Sequence, residues 1–142
     1  MIICKIGGDD MAVIRSEREE SEIAFLYNAR QLQIYSIKKC LSFPKRYTFF
    51  VSQPLANVAT RIHQYAKIGN SINPTNRHEA QMRIDYFLKA KAETNNMVSQ
   101  IELTAELFDF DKKEWMRLVY NQIKLLEGII KYDRTRYRKL PL

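Results

Sequence analysis

Nine positions from Ala80 to Phe108 advance by alternating steps of four and three, with no glycine or proline in the span. That period is the signature of an α-helix laying one face on a core. The positions read Ala80, Ile84, Phe87, Lys91, Thr94, Val98, Ile101, Ala105 and Phe108, apolar at both ends and polar at Lys91 and Thr94. A helix over 75–108 would reach about 50 Å at roughly 1.5 Å per residue.

Three further segments carry a helical period. In the first, Ser16 with Glu19 and Glu20 has the character of a capping box, and the stripe runs Ile23, Tyr27, Ile34, Ile37, Leu41, interrupted by Arg30. Ser42-Phe43-Pro44 ends it, because a residue before proline is pushed out of the helical region. The second begins between Thr48 and Pro54 and places Val51, Leu55, Val58, Ile62, Tyr65 or Ala66, and Gly69 inward. The fourth follows Asp109-Phe110-Asp111, with Asp111 as cap, and presents Trp115, Leu118, Val119, Ile123, Leu126, Ile129 and Ile130. Gly128 falls inside it, where it would allow the close approach of another helix. Alternating strand patterns never persist. The expected fold is all-α, an up-down-up-down four-helix bundle over 16–137, after a leader (1–15) and before a basic tail (138–142).

Composition narrows the function classes. The chain has 142 residues, which suits one domain with its own core, and no apolar stretch approaches the ~20 residues of a spanning helix. No membrane association is therefore expected. Two cysteines, Cys4 and Cys40, make no disulfide framework and point to a reducing, cytoplasmic setting. Gly7-Gly8-Asp9-Asp10-Met11 back-translates to a purine-rich ribosome-binding sequence ahead of an ATG, so translation is expected to start at Met11, with 1–10 an over-extended gene start.

Catalytic patterns are sparse. His78-Glu79 is followed by Met82 where a zinc-protease helix needs histidine, and no spacing brings Cys40, His63 and His78 together. Di-iron Glu-x-x-His pairs are missing, because positions 60 and 75 are threonines. Cys40 reads as a buried, inert thiol. A non-enzyme with no cofactor is expected.

Charge is the stronger signal. The first 28 residues hold three basic and six acidic side chains, a net of −3, whereas residues 29–142 hold 20 basic and 10 acidic, a net of +10. Such a field favours polyanions, meaning nucleic acid or acidic protein surfaces. The candidate contacts are Arg30, Lys38, Lys39, Lys45, Arg46, Tyr47, Arg61, Arg77, Arg83, Arg134, Arg136 and Arg138. Lys45 and Arg46 flank Tyr47, which could stack on a base, and the C-terminal arginines lie on an end expected to be flexible. Arg30 and Lys91, each inside an apolar stripe, either snorkel, pair with an acid such as Glu93 or Glu102, or line a groove in an assembly. Large apolar residues outside the stripes (Phe25, Leu26, Phe49, Phe50, Leu88, Leu103, Leu107 and Tyr120) ask for a further partner, and self-association is expected.

Several motifs carry a resemblance: Tyr35-x-x-Lys38 with Cys40, Phe43-Pro44-Lys45-Arg46-Tyr47, Ala66-x-x-Gly69-Asn70-Ser71-Ile72, and Lys131-Tyr132-Asp133-Arg134-Thr135-Arg136. Over roughly residues 12–137 the chain resembles the accessory variability determinant proteins of diversity-generating retroelements. It is also similar to the four-helix-bundle proteins encoded in intervening sequences of large-subunit ribosomal RNA genes. Many members of the first group end in a Gly-Gly-Trp-like sequence, whereas the one tryptophan here is Trp115. The resemblance implies a basic homopentamer that binds a reverse transcriptase and nucleic acid, scaffolds the copying of a template RNA, and has no catalytic residues of its own. The alternative expectation is a structural or protein-interaction bundle without a nucleic-acid role.

Overall fold

The computed structural model describes the backbone from Asp10 to Leu142 and side chains from Ile23 onward. The leader and the Gly7–Met11 start-site reading lie outside these described side chains. Four helices follow in order: α1 (Asp10–Leu41), α2 (Gln53–Ser71), α3 (Arg77–Leu107) and α4 (Lys113–Arg136). No strand occurs among the described residues. Each helix packs against its sequence neighbours, and α1 closes the ring on α4, giving the expected up-down-up-down bundle.

Local chemistry sets the boundaries. α1 stops before Pro44, and the Ser42 hydroxyl donates to the Lys39 carbonyl at 2.6 Å. The chain then makes a 3-10 turn (Lys45–Tyr47) and a π turn (Thr48–Ser52) before α2, with Pro54 in the first turn where its missing N–H costs nothing. At the start of α3, the Asn76 side chain accepts from the Glu79 N–H at 2.8 Å, and the Glu79 carboxylate accepts from both the N–H and hydroxyl of Thr75. Those bonds hold the Glu79 carboxyl below its ordinary pKa. Asp111 accepts from the Lys113 N–H at 3.0 Å, but it stands one residue before the N-cap of α4, which is Lys112, so the expected cap is displaced by one position. Ser16, in contrast, lies six residues inside α1 and is not its first residue.

The α2 and α4 stripes face the core as read, except that Ile123 is only partly buried. α1 is the main correction. Its buried face is Phe25, Ala29, Leu32, Ser36 and Cys40, while Ile23, Tyr27, Ile34, Ile37 and Leu41 point outward on the opposite side. The helix is apolar on two faces, and the stricter, more aliphatic stripe is the outer one. In α3 the core follows Phe87, Ala90, Thr94, Met97, Ile101 and Thr104, so the expected row holds at Thr94 and Ile101 and is one residue late at Lys91, Val98 and Ala105. Lys91 sits at the margin and pairs with Glu127 at 3.5 Å.

The core has two apolar blocks. One centres on Trp115, Leu55, Ile62, Met97 and Phe43; the other joins Phe25, Phe87, Ile84, Leu126 and Ile129. Amides meet along the α1–α4 seam. Asn28 donates to Gln122 at 2.8 Å and to the Leu118 carbonyl at 3.1 Å, Asn121 donates to Asn28, and Gln122 donates to the Phe25 carbonyl. Farther along, the Trp115 indole donates to the Ser36 hydroxyl at 2.8 Å. Every buried polar side-chain atom among the described residues has a partner. Gly69 lets α2 and α3 close up: a Cβ there would lie 2.6 Å from the Phe87 ring. Gly128 has no such role, since a Cβ would meet nothing within 4 Å.

Candidate nucleic-acid interface

The twelve sequence candidates separate into three neighbourhoods with different chemistry. At one end of the bundle the first turn of α3 meets the last turns of α4. Arg77, Arg134 and Arg138 line a cleft of about 160 Å³ there, together with Tyr137 and Asp133. Arg77 also holds the C-terminal segment: its backbone N–H donates to the Pro141 carbonyl and its Nε to the Leu140 carbonyl, each at 2.8 Å. The tail expected to be flexible is therefore tied down.

Two arginines of this end are committed elsewhere. Arg83 is 4% exposed; its Nε donates to the fully buried Asp133 at 2.7 Å, and its Nη1 donates to the carbonyls of Gly69, Asn70 and Ile72. Its guanidinium lies 4.9 Å from the Phe87 ring centre. A guanidinium 4% exposed, with its Nε and Nη1 donors engaged, cannot reach a phosphate, so Arg83 is corrected from contact residue to structural clamp. Arg136 donates to the other Asp133 oxygen at 3.0 Å and lies over the rings of Tyr132 and Tyr137. Asp133 is thus shared between Arg83 and Arg136.

The second neighbourhood is the α1–α2 junction. Lys38, Lys45 and Arg46 are exposed, and Lys39 is partly covered with its ammonium 5.9 Å from the Phe110 ring. Tyr47 stacks on Phe108 at 4.5 Å between centroids, and Arg46 lies 5.2 Å from its ring centre. The ring proposed to receive a base is already packed on a neighbour. Lys38 borders a groove of about 620 Å³ between α1 and α4, and Lys45 borders an apolar cleft of about 650 Å³ with Ile37, Leu41 and Phe49.

The third neighbourhood spans α1 and α2. Arg30 is exposed on the outer side of α1, and its charge reaches His63, which Lys67 also faces. Burial first, then these two cations, hold the His63 imidazole below its ordinary pKa. Sequence reading missed this trio, because pairing Arg30 with His63 requires the antiparallel register that Gln33 and Thr60 mark by their 3.2 Å bond. Arg61 is engaged by Glu93 in a charge-assisted pair at 2.5 Å, which leaves it a weak phosphate contact.

Cys40 is buried, and that burial pushes its thiol up to about 11. Among the described residues no group of three or more histidine, cysteine, aspartate or glutamate side chains is placed to hold a metal ion. No described helix is long and apolar enough to cross a membrane. No protein-family model matches the chain, and neither does any curated protein or solved structure.

Proposed function

We propose that this bundle is a non-enzymatic nucleic-acid-binding protein whose principal contact surface is the cleft of Arg77, Arg134 and Arg138. The observation that carries the reading is the state of the one acid that lines the cleft among the described residues. Asp133 is buried and taken by Arg83 and Arg136, so it does not pair with the three arginines at the rim. Three guanidiniums within one small cleft, beside Tyr137, suit a phosphate backbone. Lys38, Lys45, Arg46 and Arg30 would extend the contact along the bundle.

The resemblance supplies the finer part: an accessory that self-associates, as a pentamer in that family, and scaffolds a reverse transcriptase with its template RNA in the cytoplasm. Co-purification of the host's reverse transcriptase, with and without nuclease, tests that part.

The core test is a titration of labelled single-stranded RNA and duplex DNA at about 50 and 200 mM salt. Joint Arg77→Gln, Arg134→Gln and Arg138→Gln replacement should weaken binding to all sequences. It should also reduce the salt slope by roughly 0.7–0.9 for each phosphate that is no longer neutralised, while circular dichroism stays helical. Equal binding by the triple variant would overturn the assignment. A protein-interaction bundle without nucleic acid is the second reading, favoured by the outward apolar face of α1. Absence of binding to either nucleic acid at low salt would select it.

A further inference from the structure

We infer that the turn between α1 and α2 takes unpaired bases of a single-stranded nucleic acid on the open rings of Phe49 and Phe50, with Lys45 and Arg46 holding the flanking phosphates. The inference rests on the nucleic-acid reading above and deepens it: single strands are the class that this second surface selects.

The first argument is charge. Residues 23–78 hold eight lysine and arginine side chains and no aspartate or glutamate, in a chain with 16 acids among 142 residues. Every acidic side chain from Ile23 onward stands on α3, α4 or the turn between them. Among the described residues no carboxylate pairs with Lys45 or Arg46. A surface built for another protein mixes both signs, whereas an acid-free one suits a polyanion.

Exposure is the second argument. The turn is anchored from beneath: Phe43 meets Phe108 at 4.8 Å between centroids, Tyr47 stacks on Phe108, and Val51 is buried. Phe49 and Phe50 are left outside, 77% and 86% exposed, on the π turn itself. Two open phenyl rings one to five residues from two unpaired cations give the alternation of π faces and positive charge that a single strand needs.

The shape of the site is the third. Phe49 forms one wall of the apolar cleft of about 650 Å³, with Ile37 and Leu41 opposite it and Lys45 at its border. The exposed Gln53 amide also lines the cleft and offers a donor and an acceptor to a base edge. In a duplex both faces of every base are covered by their neighbours, so only an unpaired base can enter and stack.

Anisotropy titrations of the full chain with labelled oligouridylate of about 12 nucleotides, and with a duplex of equal length, read the two affinities. Phe49→Ala with Phe50→Ala should weaken single-strand binding about tenfold or more and leave duplex binding within about twofold. The salt slopes should not change, because the cations remain. Phe49→Tyr with Phe50→Tyr should restore single-strand affinity. Phe49→Leu with Phe50→Leu, which keeps apolar bulk without a π face, should not. Circular dichroism should stay native throughout, since both rings are exposed. Full single-strand affinity in the Ala or Leu variants, or an equal loss on both probes, would overturn the inference and leave the arginine-cleft reading standing. Loss of self-association by the Ala variant in light scattering, with nucleic-acid binding unchanged, would assign the turn to a second copy and overturn it as well. A native chain that binds neither probe would overturn that reading and this inference together.

Discussion

Replacing Arg83 by methionine tests whether that guanidinium is a clamp or a ligand contact. The side chain joins three parts of the molecule: the Asp133 carboxylate of α4, the α2–α3 connection through Gly69, Asn70 and Ile72, and the Phe87 ring of α3. Methionine keeps the apolar stem but withdraws every donor. Breaking a buried ion pair from one side costs about 3–5 kcal/mol, because the remaining charge stays buried. Arg136 still holds one Asp133 oxygen, which moves the expectation to the lower half of that range. Loss of the bonds to the α2–α3 carbonyls moves it back up by about 1 kcal/mol. A total near 4 kcal/mol is a large share of the ~5–15 kcal/mol that stabilises a domain, and would lower Tm by roughly 10–15 °C. Urea melts followed by circular dichroism, run beside Arg134→Gln as an exposed control expected to stay within about 0.5 kcal/mol, give the comparison. Retention of wild-type stability with loss of nucleic-acid affinity would refute the clamp and return Arg83 to the contact surface.

Two further outcomes follow from the geometry. Gly69→Ala should destabilise by about 1–3 kcal/mol, since its Cβ would collide with the Phe87 ring and lie 3.2 Å from the Arg83 carbonyl, whereas Gly128→Ala should gain about 1 kcal/mol in the same melts. His63 should make stability pH-dependent: its folded pKa lies below the unfolded value, so the folded state resists protonation. Stability is full above about pH 6.5 and declines as pH falls below it; His63→Gln should flatten that decline, and an unchanged pH profile would exclude this origin.

How much was legible depends on whether a residue's partner is local. The faces of α2 and α4 were readable because each helix has one dominant apolar side. α1 was misread because it has two, and the inner one is disguised by Asn28 and Ser36, polar residues that become tolerable only once Gln122 and Trp115 arrive from α4. In α3 the four-three count held at Thr94 and Ile101 but chose Lys91, Val98 and Ala105 where the preceding residues Ala90, Met97 and Thr104 are the buried ones, because the small and polar residues on the inner side of that stretch give the count little apolar signal. In the candidate interface, Arg77, Arg134 and Arg138 were named correctly as basic residues, but their meeting was hidden by the distance between α3 and α4 in sequence. Arg83 and Asp133 stand 50 positions apart. Nothing near Arg83 in the chain marks it as buried.

The amide cluster between the two apolar blocks has a consequence for how the helices can slide. Leucine and isoleucine faces are nearly indifferent to a shift of one helical turn, since one aliphatic side chain fills the space of another. Asn28, Gln122 and the Leu118 and Phe25 carbonyls are not indifferent. A displacement of about 5.4 Å would part each donor from its acceptor, at a cost of about 1–3 kcal/mol for every group left buried without a partner. The cluster therefore works as a detent: α1 and α4 have one seating, and neighbouring ones are closed to them. Converting Asn28 and Gln122 together to leucine would preserve the bulk of the seam and remove the detent, leaving a bundle that is still helical but free to occupy more than one alignment.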